Sequence, residues 1–599
     1  MVRRWILAGL LLTGCDATNP FRGVFGGSGD DEPAPPPNDE WTHPPWSETG
    51  PEVVGPPPDF GEPRSEPLAP PPISGGTLLA TRDGPLFVAD PDRDTLFLVD
   101  PKAAKLLGEL PLLAGDEPGR AVEDDAQRVH VVLRRGGAIV SVDLPTGKIT
   151  GRRPVCAAPR GIAFDAKNKD LVVACAGGEL VTLPAVGGEP TRKLQVARDL
   201  RDVLQIGDRT FFTTFRTAQL FVLDGTTPKP MTTPTHADGR RSSVAWRTVA
   251  MGQDSIMMLH QRAADRELLV TAGGYGGGST QCRATIVGSL SFFPISRPGI
   301  TPLGFSLASA VLPVDVAYQP ATGSLAVVTP ANAKTGEAQV WTGNWKTLAS
   351  CSSLTGQVTV GEIVAAAYLP TGELALQSRQ PAFVRVGSKE VSLSTISRED
   401  TGHAIFHANS GRALACASCH PEGAEDGLLW QVTGVGPRRT QSLRAGVLAN
   451  APFHWDGSVP SFDTLVSTVF EHRMGGPKLS SGQRVAFEHW IDRIPAVAPS
   501  SASSAEAAAR GKDLFADPAF GCTRCHDGPR FTNGKLVTGK SESLRVPSLL
   551  GVAFRSPFGH AGCAKYLADF VAGCGTEPHG ATAFPGTSLP DLVAYLETL

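Results

Sequence analysis

Between residues 76 and 395 the chain states one theme seven times: a short run rich in Val, Leu and Phe, a turn, then a second such run. The openings are PLFVADPDRDTLFLVD at 85, RVHVVLRRGGAIVSVD at 128, DLVVACAGGELVTLP at 170 and RTFFTTFRTAQLFVLD at 209. Looser copies follow: ELLVTAGGYGGG at 267, SLAVVTPANAKTGEAQVW at 324 and ELALQSRQPAFVRVG at 373. Successive openings are 43, 42, 39, 58, 57 and 49 residues apart. A repeat of that size is one small sheet that cannot bury its own faces and must stack on its neighbours. Hairpins with a period in the forties predict an all-β propeller of seven blades over 76–395; the rival is another all-β array. The 66 glycines and 51 prolines, about a fifth of the chain, supply the turns.

No catalytic constellation is evident in this array. The run Gly273-Gly274-Tyr275-Gly276-Gly277-Gly278 lacks the Lys-Ser/Thr of a phosphate loop and reads as a long blade loop. His130, His236 and His260 are scattered and read as structural.

The N-terminus predicts export. Arg3 and Arg4 precede an apolar run, Trp5 to Leu12, too short to span a bilayer. Leu12-Thr13-Gly14-Cys15 follows and resembles a bacterial lipobox, in which the signal is cut before the cysteine and that cysteine is lipidated. Residues 1–15 are then a lipoprotein signal; the alternative is an ordinary signal peptide. Residues 16–75 carry Pro33-Ala34-Pro35-Pro36-Pro37, Pro56-Pro57-Pro58 and Pro70-Pro71-Pro72 among Gly, Asp and Glu, and predict a disordered tether. The expected location is a membrane surface, periplasmic or external, reached through the lipid. The net charge of −4, with no long basic run, argues against a nucleic-acid partner.

Of 11 cysteines, Cys15 is assigned to lipid and four fall in the motifs described next. Six remain, an even number in an exported chain, which suggests disulfides. Six cysteines allow 15 connectivities; the nearest-neighbour set is Cys156–Cys175, Cys282–Cys351 and Cys563–Cys574.

The last third carries CASCH at 416–420 and CTRCH at 522–526. In C-x-x-C-H each cysteine can form a thioether to a haem vinyl group, and the histidine lies under the iron. A zinc site or a thiol redox pair are the competing readings. The motif occurs twice in matching contexts. Helix-start signals precede both, Ser397 with Asp400 and Ser503 with Glu506. QSLRAGVLANAPFHWDG (441–457) follows the first motif and PSLLGVAFRSPFGHAG (547–562) the second, with Ser442-Leu443 opposite Ser548-Leu549 and Gly457 opposite Gly562. Each half closes on an apolar stretch, VAFEHWIDRI (485–494) and DLVAYLETL (591–599). This predicts two successive all-α, cytochrome c-like haem domains, 396–500 and 501–599, each with one haem c: Cys416, Cys419 and His420 for the first; Cys522, Cys525 and His526 for the second.

The duplication also nominates sixth ligands. Met474-Gly475 falls opposite His579-Gly580, and the separations from the proximal histidines are 54 and 53 residues. Met474 and His579 are the candidates; His454, His472 and His560 compete. A methionine ligand raises the reduction potential.

CASCH with NAPFHWDG, then LFADPAFGCTRCHDGPRFTNGK and RVPSLLGVAFRSPFGHAG, resembles the bacterial di-haem cytochrome c peroxidase family, which includes MauG-like oxidoreductases. The resemblance covers about 400–599. It implies two facing haem domains, one haem passing electrons while the other handles peroxide, Trp455 as a relay between them, and calcium between the domains. The segment Glu471-His472-Arg473-Met474 departs from the family, whose acid adjoins the methionine. The family also tends to carry the methionine-bound haem in its second domain, not its first. The repeat array weakly resembles YVTN-type and other quinoprotein-like propellers.

The expected function is a lipid-anchored di-haem c-type oxidoreductase that passes electrons between its haems and reduces peroxide or oxidises a partner. Its partners would be a small redox protein or another periplasmic electron donor. The alternative is a non-enzymatic electron-transfer protein with the propeller as docking platform. A third reading makes the propeller the enzyme and the haems its acceptor, which requires a cofactor site that the sequence does not display.

Overall fold

The computed structural model describes residues 55–599 except 235–238, 278–281, 297–301, 353, 500–503, 539–541 and 575–587. Cys15, His236 and His579 therefore lie outside the described residues.

Seven sheets succeed one another along the chain, each with its strands in sequence order. Six of the sequence repeats open on the second strand of such a sheet; the fifth, ELLVTAGGYGGG, does not, because its Glu267–Leu268 pairs with Gln431–Val432 outside the blade. Blade 1 consists of Leu78–Ala80, Leu86–Asp90, Thr95–Asp100 and Lys105–Pro111. Blades 2 to 7 occupy 118–154, 159–195, 200–230, 241–307, 315–357 and 363–394. The burial pattern shows why the repeats read as they do. Leu86–Asp90 is buried at every position, since sheets cover both its faces, whereas the outer strand Lys105–Pro111 alternates exposed and half-buried. Each blade contacts the next, and Ile363–Tyr368 of blade 7 contacts Leu78–Ala80 of blade 1, which closes the ring into a β-propeller. Closure is pinned by polar groups. Gln377 accepts from Thr77 Oγ1 (2.8 Å) and donates to Ala89 O (3.0 Å), and Arg379 pairs with Asp92 (2.6 Å).

The second strand of blade 5 is Ser255–Ala263, 46 residues after that of blade 4 (Arg209–Thr214), so the 58-residue interval comes from the fifth opening falling in an insertion. Blade 5 inserts residues 264–285 between its second and third strands. Glu267–Leu268 of this insertion pairs in parallel with Gln431–Val432 of the C-terminal third. A fifth strand, Cys351–Ser352, joins the outer edge of the same blade, where Cys351 is bridged to Cys282. Cys156–Cys175 and Cys563–Cys574 are the other bridges.

The expectation of a disordered tether up to residue 75 does not hold for 55–75. Proline cannot donate a backbone hydrogen bond, yet this segment is held by its other groups and its carbonyls. Gly55 N donates to Gly411 O (2.8 Å), Thr401 N to Arg64 O (2.9 Å), Trp490 Nε1 to Pro70 O (3.0 Å) and Ile73 N to His407 Nε2 (3.1 Å). Phe60 and Ile73 are buried in the main core. The proline strap thus runs between the propeller and the C-terminal third, and residues Thr49–Leu599 form one unit.

The all-α expectation for 396–599 is also corrected. The helices are α1 (Thr401–His407), α2 (Cys416–Cys419), α3 (Phe462–Leu465), α4 (Ser481–Asp492), α5 (Ala505–Ala516), α6 (Leu567–Gly573) and α7 (Ser588–Leu596). Each half also contains a small hairpin, Leu429–Val432 with Gly436–Arg439 and Leu536–Thr538 with Ser543–Arg545. Loops make up much of the remainder. The N-caps are Asp400 for α1 and Ser504 for α5, and Ser480 with Gln483 forms a capping box on α4.

The first and last helices of each half cross through a glycine. A Cβ at Gly402 would lie 2.4 Å from Ala486 O, and one at Gly511 would lie 1.9 Å from Asp591 O. α1 packs on α4, and α5 on α7, at distances only glycine allows.

Candidate functional site

α2 is a single turn that starts the first C-x-x-C-H motif. Gln261 of blade 5 holds this turn by donating to Ser418 O (2.8 Å), and Trp246 Nε1 in turn donates to Gln261 Oε1 (2.7 Å). Cys416, Cys419 and His420 line a cavity of about 320 Å³. Phe406, Phe453, Phe462, Phe470 and Phe487 form much of its apolar wall. Both thiols are free, and burial pushes Cys416 up to about 12 and Cys419 well above its ordinary value. His420 Nδ1 donates to Ala424 O (3.2 Å), so the ring's lone pair sits on Nε2. Burial lowers this imidazole to about 4 and keeps it neutral.

Met474 is buried and lines the same cavity, with its Sδ 4.0 Å from Cys416 Sγ. It follows Val466–Arg473, which winds as a π-helix, a form concentrated at functional sites. Met474 N bonds back five residues to Val469 O (2.8 Å). The blade 5 insertion supports this loop: Gly273 N donates to His472 O (2.7 Å), Tyr275 N to Arg473 O (2.9 Å) and Arg473 Nη1 to Tyr275 Oη (3.0 Å). Gly273 to Gly277 thus belong to a blade loop that braces this segment.

Among the competing residues, His454 also lines the cavity, His472 is exposed, and His560 faces Glu542 (2.9 Å). Glu471 accepts from Leu479 N (2.8 Å) and Arg484 Nη2 (2.6 Å), which ties it away from the cavity. His130 contacts Ser141 and Asp124, and His260 contacts Ser291, as structural groups.

The second motif repeats the first. Cys522–Arg524 forms a 3₁₀ turn, Cys522 and Cys525 are free, and buried His526 donates from Nδ1 to Phe531 O (2.9 Å). Burial lowers His526 as well.

The two halves meet at Trp455 and His560, whose rings lie 6.3 Å apart. Trp455 is buried, lines the cavity, donates from Nε1 to Arg439 O (2.8 Å) and has the Arg439 guanidinium over its ring at 5.4 Å.

Sequence reasoning missed Glu422, two residues past His420. Its buried carboxylate accepts from Arg201 Nη1 (2.6 Å), Arg134 Nη1 (3.4 Å), Ser74 Oγ (2.5 Å) and Arg160. Burial alone would raise this carboxyl, but Arg160, Arg201 and Arg134 outweigh it and hold it well below the usual range. Blades 2, 3 and 4 supply these arginines. Only the fold brings them to one point.

Chemically, each motif offers two unpaired thiols beside an imidazole with its lone pair on Nε2. The first set also faces a thioether across an apolar space. Among the described residues no three His, Cys, Asp or Glu side chains converge as a metal-ion site. Among the described residues no helix is long and apolar enough to cross a membrane.

No protein-family model and no curated protein matches the chain. Among solved structures, a chain of Kuenenia stuttgartiensis hydrazine synthase is similar at 14% identity and a TM-score of 0.43, over 55% of this chain and 97% of that one. A streptogramin B lyase structure is similar at 11% identity and 0.34, over 54% and 97%. Virginiamycin B lyase from Staphylococcus aureus is similar at 11% and 0.35, over 51% and 92%. The propeller assignment rests on the seven sheets themselves.

Proposed function

We propose that this chain is an exported, lipid-anchored di-haem c-type oxidoreductase. The observation that carries the reading is the shared cavity of Cys416, Cys419, His420 and Met474. Its donor set suits a haem c: two thiols for thioethers, a neutral imidazole presenting Nε2, and a methionine sulfur on the same cavity. The second set, Cys522, Cys525 and His526, repeats the first, with His579 as the expected further ligand. Haem would supply reversible one-electron chemistry.

The residues of this chain do the rest. Carbonyls of Ala424 and Phe531 hold the histidine tautomers, and the phenylalanine wall excludes water. Trp455 spans the junction between the two sites as the relay. The electron donor would be a small periplasmic redox protein, and peroxide is the expected oxidant.

One observation favours the second reading, a pure electron carrier. Glu471 is engaged by Arg484, so no acid next to Met474 serves peroxide chemistry. The test is absorption spectroscopy of signal-processed protein. Two covalent haems by mass and haemochrome absorbance support the reading, and colourless protein overturns it. Peroxide turnover with a reduced donor selects the enzyme; an unreactive low-spin spectrum selects the carrier.

A further inference from the structure

The two halves carry equivalent arginines in unequal surroundings. Arg439 and Arg545 hold matching places at the ends of the two hairpins, 19 residues after His420 and His526. Both are buried. Arg439 is neutralised by Glu425 (2.7 Å), the fifth residue after His420. The fifth residue after His526 is Phe531, so the second half offers Arg545 no equivalent acid. Among the described residues Arg545 has no carboxylate partner. Its Nε has no hydrogen-bond partner, and its Nη1 reaches only Val546 O at 3.4 Å.

Arg545 lines the cavity of Cys416, Cys419 and His420, although it belongs to the other half. Arg444 lines it too, bonded only to carbonyl oxygens of Pro495 and Glu422, with its Nε unpartnered. Burying Arg545 without an anion is costly, whereas Arg444 is half-buried and feels the Glu422 carboxylate; burial pulls both groups down to about 10. The cavity is therefore built for a ligand that brings negative charge as well as apolar surface.

We propose that Arg545 receives a propionate carboxylate of the haem fastened at Cys416 and Cys419, so that the second half of the chain completes the site of the first. This inference rests on the di-haem reading. It makes the first haem a bridge between the halves, because its thioethers belong to one and its propionate partner to the other. Arg444 is the second cation of the pair. A fixed guanidinium beside a propionate keeps that carboxylate ionised and raises the reduction potential of its haem relative to an unpaired propionate.

The test compares wild-type holoprotein with Arg545→Gln and Arg545→Lys by resonance Raman in the propionate-bending region and by redox titration at several pH values. A Cys522→Ser/Cys525→Ser background assigns the affected haem. The expected result is a moved propionate band and a lowered potential for the first haem in Arg545→Gln, with that potential now varying with pH across the neutral range. Arg545→Lys should restore most of the potential but not the band position, since an ammonium cannot reproduce the planar fork. If Arg545→Gln fails to fold, the Lys variant carries the test through the band shift alone. Unchanged bands and potentials in coloured variants would overturn the inference and leave the di-haem reading intact. An acetate-dependent potential in wild type that is lost in Arg545→Gln, with no propionate band shift, would assign the site to a free carboxylate and overturn it too. Colourless wild type would instead remove the underlying reading.

Discussion

Arg545 N donates to Trp455 O at 2.7 Å, and the reciprocal bond, Arg439 N to His560 O, has the same length. Trp455 and His560 are matched positions of the two halves, as are Arg439 and Arg545. The junction is thus approximately two-fold within a single chain: each half gives one arginine N–H and one aromatic carbonyl. Such a contact resembles an isologous dimer interface, and it sets Trp455 at the junction of the two halves.

Trp455→Phe should keep the backbone pair and lose the Nε1 bond to Arg439 O. Leaving that carbonyl unpaired costs about 1–3 kcal/mol, measurable by denaturant unfolding. Flash-initiated electron exchange between the two haems should slow severalfold; an unchanged rate would remove Trp455 from the path.

Glu422→Gln should be strongly destabilising. The substitution leaves Arg201, Arg160 and Arg134 buried around a neutral amide. Breaking a buried ion cluster on one side costs about 3–5 kcal/mol. Calorimetry should show a lowered Tm, with limited proteolysis separating the propeller from the C-terminal third.

His130 predicts a pH dependence within blade 2. Burial lowers its imidazole from 6.5 to about 4, against the opposing pull of Asp124. The unfolded chain therefore binds this proton first. Stability is complete above pH 6.5, falls as pH drops toward 4 and levels off below that. The loss attributable to this group is about 3 kcal/mol. Denaturation midpoints measured across this range should show it, and His130→Gln should flatten the slope by that share.

Met474→Ala should leave the chain folded and coloured, since the covalent attachment lies elsewhere. The first haem should lose its methionine ligand, seen as a shift to high spin in electron paramagnetic resonance and a lower reduction potential. A spectrum identical to wild type would pass the ligand role to His454, which lines the same cavity.

Cys15→Ala should release the protein from the membrane fraction, with incorporation of labelled fatty acid lost at the same time. Retention with undiminished label would refute lipidation at this residue.

The propeller was legible because its signal is local. PLFVAD and TLFLVD show strands covered on both faces, and the regular return of such pairs specifies stacking on equals. The two C-x-x-C-H motifs were legible for the same reason, since five adjacent residues spell each one. The proline strap was misread because composition alone cannot reveal what a segment packs against. Pro70 accepts from Trp490, 420 residues later, and no local pattern encodes that. The hairpins of the C-terminal third were missed because strands of three or four residues leave no periodicity to read.

The linear order of residues determined the seven-fold β array, the paired thiol-and-imidazole motifs and the duplication that contains them, since each depends on neighbours within a few positions. Tertiary structure alone decided that Glu422 enters the arginines of three blades, that the blade 5 insertion braces Met474, and that Arg545 faces a cavity belonging to the other half. Those relations join groups about 100 to 290 residues apart, and only close packing of the folded chain makes burial and charge act between them.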